Sequence, residues 1–460
     1  MNYHTYFAEA EIVDTCVVGT GDFGRSFLVQ ALRVPLMNAR VAIDVDAERA
    51  AQAIRSAGID GNAIAICRTR TEAEAAWAGG QYIAADDIDV VLGLPFGVLV
   101  EATGHPEAGA RHARMAIEAG KHVVMVSKEA DSVVGPGLVL LARQNGVVIT
   151  PVDGDQPSLL IALVTWAELL GFEIVAAGKS SEYDFVYDAK AGTLTSNGVT
   201  IDAAAFAGLD RLGDADTAEL AQARSQAAAA FDQHLVPDLC EMTLVANATR
   251  LNFDRDDFHA PIARIGEVPT FLSMKADGGL LGSSGVVDVF HCLRAPDEIS
   301  FAGGVFVVVR CEDKAAWDIL ADKGHIVSRN GSTAMVYNPR HLLGLEAATC
   351  VLAAAAHGVS QGMSTPTHRF DLIARAETDL PAGTILTASG HHHRIEGVSG
   401  LVVAARGLAP DAPVPFYMAA NRKLLRPVNR GQTILLSDIE VDEGSEMFAL
   451  RQMQDAHFFG

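Results

Sequence analysis

Two periods of apolar spacing take turns along the first third of the chain. Short β-branched runs, "IVDTCVVG" from Ile12, "ARVAID" ending at Asp44, "AIAIC" ending at Cys67, "VLVEATG" from Val98, then "KHVVMVS" and "GVVIT", recur along it. Between them lie stretches of helical spacing that start near Phe23, Ala47, His105 and Gly137. Strands that alternate with helices predict a parallel sheet covered on both faces, the doubly wound Rossmann-type α/β class. This domain is expected over residues 1–152.

Past Val152 the pattern changes. "QPSLLIALVTWAELLG" has the spacing of a helix, "FEIVAAG" that of a buried strand, and Asn197-Gly198 in "AGTLTSNG" suits a hairpin turn. Asp214 to Ala230 reads as a helix, and "DLCEMTLVANATRL" as another, with Glu241 and Asn247 near its apolar face. "SGVVDVFHCL" and "GGVFVVVRC" predict long neighbouring strands, with a further one between His325 and Tyr337. A second α/β domain, for substrate and dimer contacts, is expected over residues 153–365. The apolar helix His341 to Val359 must be buried against the first domain or in a homodimer interface. Ala374 to Gly390 and Leu425 to Val441 share a glycine followed closely by Ile-Leu, which predicts a small β-rich module over residues 366–460.

Composition narrows the function classes. A formal charge of -22 over 460 residues would repel a nucleic-acid backbone and an anionic membrane surface, so neither partner is expected. The first residues lack a cationic segment followed by an apolar one, and no apolar run approaches about 18 residues, so a cytoplasmic protein is expected. The 6 cysteines are scattered without a C-x-x-C pair, which predicts reduced, buried thiols and no zinc centre.

The candidate chemistry begins at "VVGTGDFGRSF". Gly19 permits a tight turn, Gly21 the approach of a pyrophosphate, and Gly24 close packing of helix on strand. Asp22 and Phe23 fall at the helix N-terminus that faces the phosphates. Asp44 stands roughly twenty residues further on, where a carboxylate meets the adenosine ribose. Asp44 and Asp46 favour NAD, whereas Arg49, or Arg68 and Arg70, turned inward would favour NADP. Ala102, Thr103 and Gly104 form a small-residue turn where nicotinamide would lie, and Lys128, at the next strand end, either reaches into the cleft or is solvated. There it would polarise a carbonyl or protonate a developing alkoxide.

Asp153 and Asp155 flank Gly154 ahead of a helix and either share a hard cation such as Mg²⁺ or Mn²⁺ or, at Asp155, cap the helix. Lys179, Ser180, Ser181, Glu182, Tyr183 and Asp184 follow a buried strand, more ionisable groups than a turn needs, and form the candidate substrate locus. Three adjacent histidines, His391 to His393, cannot all converge on one ion from an extended strand. The basic run Asn421 to Gly431 reads as a solvated face, with contact to a substrate phosphate as the alternative.

Taken in order, "GTGDFGRSFL", "VEATGHPEAGARHARMAIEAGKHVVMVSKEAD", "DGDQPSLL", "AAGKSSEYDF" and "EMTLVANATRL" resemble homoserine dehydrogenase, and more closely its relatives described as 1-deoxy-D-xylulose 5-phosphate reductoisomerase-like. The tail resembles the SAF (antifreeze-like) module. The resemblance maps a lysine beside nicotinamide onto Lys128. The second lysine of the homoserine dehydrogenase pattern is not found, which disfavours that enzyme itself. The reductoisomerase likeness implies rearrangement of a ketose phosphate and reduction of the product by NADPH, with a divalent cation. It implies Lys128, Lys179, Glu182 and Asp155 as catalytic groups, and Asp153, Asp155 and Glu241 as metal ligands. The readings carried forward are an NAD(P)H-dependent reductoisomerase forming 2-C-methyl-D-erythritol 4-phosphate for isoprenoid synthesis, a metal-free dehydrogenase of homoserine or another small hydroxylated substrate, and a dinucleotide-dependent carbohydrate sensor without turnover.

Overall fold

The computed structural model describes residues 1–390 and 393–460, so His391 and His392 of the histidine run lie outside the described residues. The chain gathers into two units. Unit 1 comprises Met1–Ser158, Leu342–Ala388 and Ala404–Gly460; unit 2 comprises Leu159–His341 and Ser389–Val403.

Unit 1 opens with a short helix, α1 (Tyr3–Tyr6), and then alternates as the apolar periods require: β1 (Val13–Val18), α2 (Asp22–Ala31), β2 (Met37–Ile43), α3 (Ala47–Ser56), β3 (Ile64–Ile66), α4 (Arg70–Ala78) and β4 (Tyr82–Ala85). It continues with β5 (Val98–Glu101), α5 (Pro106–Glu118), β6 (His122–Met125), α6 (Lys128–Gln144) and β7 (Ile149–Pro151). The seven strands form one sheet in the order β3-β4-β2-β1-β5-β6-β7, every pair parallel. The order reverses at β1, so the carboxyl ends of β1 and β5 border the crevice in which such sheets bind ligands. Helix starts carry the expected signals: Asp46 caps α3, Thr69 forms a capping box on α4, and His105 caps α5 ahead of a proline.

The apolar segment from His341 is less helical than its pattern suggests. A single 3-10 turn, Leu343–Leu345, precedes a helix confined to Ala348–His357. Gly344 explains the turn: a Cβ there would stand 2.4 Å from Ser26 Oγ and 2.7 Å from the Phe27 nitrogen, so the chain crosses α2 in close contact. The burial this helix demands is met within unit 1, where Cys350, Val351, Leu352 and Ala353 join Val17, Phe27 and Val100 in one core. The final helix, Glu446–Phe458, also belongs to unit 1. Its Gln454 side chain accepts from the Gly137 N–H at 2.7 Å and donates to the Val133 carbonyl at 3.1 Å. Its buried Arg451 grips Asp371 with two bonds of 2.8 Å.

The helix α7 (Gln156–Leu169) leads into the strands and helices of unit 2: β8 (Ile174–Asp188), β9 (Thr193–Ser196), β10 (Val199–Asp202), α8 (Thr217–Ala227), α9 (Val236–Ala248), β11 (Asn252–Phe253), β12 (Ile262–Ala263), α10 (Val268–Phe271), β13 (Val286–Arg294), β14 (Val305–Arg310), α11 (Lys314–Asp322), β15 (Ile326–Val327) and β16 (Thr333–Asn338). The β9–β10 hairpin turns at Asn197 (φ 47°) and Gly198 (φ 79°), both left-handed as a type I′ turn requires.

Two expectations need correction. β13 and β14 are not neighbours: β8 lies between them, parallel to β13 and antiparallel to β14. And Lys179–Asp184 do not follow the strand but lie inside it. β14 pairs with β8 as far as Lys179, β13 pairs with Ser180 and again from Asp184, and β9 takes over from Val186, so the polar stretch is held in the strand by the ladders at its two ends.

Candidate functional site

In unit 1 the glycine turn has the stereochemistry its sequence demands. Gly19 has φ +90°, and a Cβ there would lie 2.5 Å from the Ala102 carbonyl oxygen. At Gly24 a Cβ would meet the Gly19 carbonyl oxygen at 2.0 Å, so α2 packs directly on the turn. Gly21, by contrast, is exposed, and a Cβ there would meet nothing within 4 Å. The turn is closed beneath and open above, where a pyrophosphate would approach the α2 N-terminus. Asp22 and Phe23 open that helix; the Asp22 carboxylate turns to Arg25 at 3.5 Å.

Asp44 ties the end of β2 to this turn. Its Oδ2 accepts the Thr20 N–H at 2.9 Å and the Thr20 hydroxyl at 2.5 Å, and its Oδ1 accepts the Val45 N–H at 2.9 Å. A carboxylate has about four acceptor positions, which leaves Oδ1 able to take a ribose hydroxyl. Arg49 Nε stands 3.8 Å from Oδ2 on a half-exposed side chain, within reach of the same place.

The turn after β5 is held by a residue that sequence reasoning missed. Glu101 is fully buried, and its Oε1 accepts the Thr103 hydroxyl at 2.6 Å and the Thr103 N–H at 3.3 Å, with His112 Nδ1 also at 3.3 Å. Among the described residues nothing donates a hydrogen bond to its Oε2. The Gly104 N–H donates to Ser127 Oγ at 2.8 Å, so Ala102, Thr103 and Gly104 are fixed from below and from the side. An acidic residue inside "VLVEATG", an otherwise apolar strand, was the signal for it.

Lys128 does not end a strand. It is the first residue of α6, where the helix dipole disfavours a cation. Asp155 Oδ2, 3.5 Å away, offsets this, while Asp155 Oδ1 accepts the Gln156 N–H at 2.9 Å. Asp153 serves the frame: its two oxygens accept from the Ser158 hydroxyl at 3.0 Å and the Thr349 hydroxyl at 2.6 Å.

In unit 2, Lys179 has a fully buried side chain. Strict alternation along β8 would point Lys179 and Glu182 to opposite faces. The pairing with β13, however, jumps from Ser180 opposite Phe290 to Asp184 opposite Cys292. That bulge re-aims the intervening residues, and Glu182 Oε1 comes to 3.5 Å from Lys179 Nζ. On α9, Asp238 and Glu241 are three residues apart and so share a face. Asp238 Oδ1 lies 2.9 Å from Nζ, and Glu241 Oε2 is in still closer contact with it. Asp238 was not singled out in the sequence, although D-x-x-E on a helix is a legible pair.

These three carboxylates present oxygens within 4.8 Å of one another, with one ammonium among them. Neither Asp238 oxygen receives a hydrogen bond of good geometry. Burial pushes the Asp238 carboxyl up to about 7, the Lys179 charge pulls against that shift, and Glu241 adds to it. The cluster thus carries more negative than positive charge and fits one further cation, or a proton on Asp238. Beside it, Ser181 Oγ meets His291 Nδ1 at 2.6 Å, and burial holds that imidazole down at about 4, neutral at physiological pH.

Residues 42–151 match the family model of the homoserine dehydrogenase NAD binding domain, and residues 154–347 that of the oxidoreductase DRL catalytic domain. The chain carries the domains of an NAD(P)-dependent oxidoreductase. The second match contains the whole Lys179 cluster. Neither match reaches residues 366–460, to which the sequence assigns the SAF resemblance, and neither description names a reductoisomerase. No curated protein matches the chain.

Among solved structures it is similar to GenD2 from gentamicin A biosynthesis in complex with NAD (18% identity, 36% of this chain and 42% of that one, TM-score 0.26). It is also similar to a UDP-N-acetylglucosamine 3-dehydrogenase from Acidithiobacillus ferrooxidans (15% identity, 39% and 49%, TM-score 0.26). A third is a 3-ketoreductase from Actinomadura kijaniata in complex with TDP-benzene and NADP (14% identity, 39% and 50%, TM-score 0.27). The chain spans half or less of the length of each. Among the described residues no helix is long and apolar enough to cross a membrane.

Proposed function

We propose that this chain uses NAD(P)H to reduce a carbonyl of a small polyhydroxylated substrate, with residues 1–152 holding the dinucleotide and residues 153–365 the substrate. Gly19, Gly21, Asp22, Phe23, Gly24 and Asp44 would bind the adenosine and pyrophosphate portions, and Ala102, Thr103, Gly104 and Lys128 the nicotinamide end. Hydride passes to the carbonyl carbon, the C=O pair of electrons moves to oxygen, and a proton must reach that oxygen. Lys179 is the group we assign to meet it, as a buried ammonium oriented by Asp238, Glu241 and Glu182. The observation that carries this reading is the burial of Lys179 among those carboxylates inside the matched catalytic domain.

Within that class, the reading we favour is reductoisomerisation of 1-deoxy-D-xylulose 5-phosphate. Its support is the surplus of carboxylate over ammonium: Glu182, Asp238 and Glu241 would hold a Mg²⁺ or Mn²⁺ ion. Such an ion, when bound, polarises adjacent carbonyl and hydroxyl oxygens. Asp153 has both oxygens engaged by hydroxyls of its own unit and Asp155 is paired with Lys128, so neither adds support as a ligand. The second reading, a dehydrogenase without metal, rests on Lys179 Nζ already standing among the carboxylates.

The test is NADPH oxidation, followed by loss of its near-ultraviolet absorbance, with 1-deoxy-D-xylulose 5-phosphate and Mg²⁺ or Mn²⁺. Turnover that stops in chelator and returns with the metal is the expected result. Turnover of another hydroxylated substrate that persists in chelator selects the dehydrogenase. Cofactor binding with no oxidation across a panel of ketoses and hydroxy acids overturns both.

A further inference from the structure

A cavity of about 660 Å³ in unit 2 has Arg211, Arg264, Arg294 and Arg329 in its lining, and none of the Lys179 cluster. Four guanidinium groups around one hollow are unexpected in a chain with a formal charge of -22. Their local partners show which charges are already met. Arg264 pairs with Glu298, and Arg294 Nε with Asp184 at 2.8 Å. Glu267, the other acidic residue of the lining, is committed to the buried Arg224 and to the N–H groups of Leu212 and Arg264. Arg329 Nη1 donates only to the carbonyls of Gly213 and Ala215. Arg211 makes no hydrogen bond and no ion pair among the described residues. Glu298, already bound to Arg264 and the Ala295 N–H, acts on Arg211 only at longer range, so Arg211 and Arg329 face the cavity with no carboxylate in hydrogen-bond or ion-pair contact among the described residues.

We propose that this cavity is a second ligand site, separate from the Lys179 cluster, and that it takes a phosphate monoester with an apolar or part-apolar organic portion. Charge sets the first half of that description. A phosphate monoester carries close to two negative charges near neutral pH, which matches Arg211 and Arg329. The planar guanidinium fork suits phosphate oxygens in pairs. Size and lining set the second half. The volume lies in the range of small-molecule pockets, about 300–1,000 Å³, well beyond what a bare phosphate fills. Leu212, Ile265 and Ile299 supply apolar wall, and Ile299 is 74% exposed.

The test is calorimetric titration of the full chain with phenyl phosphate and, separately, with inorganic phosphate, each without and with saturating NADPH. Saturable binding of one phenyl phosphate, tighter than inorganic phosphate and indifferent to NADPH, is expected. Arg211→Gln and Arg329→Gln should each weaken it about tenfold or more, the loss of one charge-assisted contact. Arg211→Gln removes no hydrogen bond or ion pair among the described residues, so its thermal midpoint should stay close to wild type, and this variant keeps the test decisive if Arg329→Gln disturbs the Gly213–Ala215 turn. NADPH oxidation by the Lys179 cluster should be unchanged in Arg211→Gln. No saturable binding, binding unaffected by Arg211→Gln, or displacement of phenyl phosphate by NADPH overturns the proposal.

Discussion

Replacing Asp238 by Asn removes one buried charge without changing shape, and its effect on stability should depend on pH in a defined direction. The Asp238 carboxyl is raised from 3.8 to about 7, first by burial, against the pull of Lys179. A carboxyl with a raised pKa binds more protons in the folded than in the unfolded chain across that interval. Stability is therefore present below about 4 and is lost as pH climbs to about 7. Three units at about 1.4 kcal/mol each set a ceiling on the order of 4 kcal/mol, and the ammonium beside Asp238 makes the realised value smaller. At a urea slope of about 2 kcal/mol per molar, the ceiling is a midpoint shift of about 2 M. Two of the three tryptophans, Trp166 and Trp317, lie in unit 2, so their fluorescence reports its unfolding. Between pH 4 and 7 the wild-type midpoint should fall relative to Asp238→Asn. Other raised carboxyls, such as Asp131 and Asp288, contribute to both chains and cancel in the difference. Parallel midpoint curves for the two chains would refute the reasoning.

Three further outcomes follow from the same geometry. Lys179→Met should lower kcat by about 10²–10⁴ while fluorescence titration shows NADPH binding intact; equal loss of cofactor affinity would place the lysine elsewhere in the mechanism. Gly24→Ala puts a methyl 2.0 Å from the Gly19 carbonyl oxygen and should lower the thermal midpoint and abolish cofactor binding, whereas Gly21→Ala, open to 4 Å, should keep the midpoint and weaken only the cofactor. Arg451→Met leaves the buried Asp371 carboxylate, held down at about 2 by Arg451 and His368 despite its burial, with His368 as its remaining side-chain partner, and should cost about 3 kcal/mol in unfolding of unit 1, read by circular dichroism.

The sheet of unit 1 was legible because each of its strands announces itself locally: a β-branched run, a glycine or polar break, then a helix of period 3.6. Gly19, Gly21 and Gly24 were legible for the same reason, since the turn and the packing they allow lie within a few residues of one another. The Lys179 cluster was only half legible. Lys179, Glu182 and Glu241 stood out as polar residues in apolar surroundings. Nothing local, however, says that Glu182 and Lys179 share a side of β8, because a bulge opposite His291 sets that. Asp238 went unnoticed beside Glu241 because its weight comes from the burial of its face of α9, a property of tertiary packing. The same limit explains β8 itself. A stretch with Lys, Ser, Ser, Glu, Tyr and Asp reads as a loop because the ladders that keep it in β8 lie at its two ends, in pairings with β13, β14 and β9 that are distant in sequence. The four arginines, drawn from segments scattered across unit 2, meet only in three dimensions.

The division of unit 1 into separate lengths of chain bears on the order in which the protein is made. Its sheet is complete by Pro151, yet the helix that closes on α6 through Gln454, and the arginine that neutralises Asp371, leave the ribosome only after all of unit 2 has been synthesised. A nascent chain therefore holds an unfinished unit 1, with the α6 surface uncovered, while the intervening unit has the chance to fold first. Premature termination near the end would cost unit 1 the cover of α6, although the lesion lies far in sequence from every glycine of the turn.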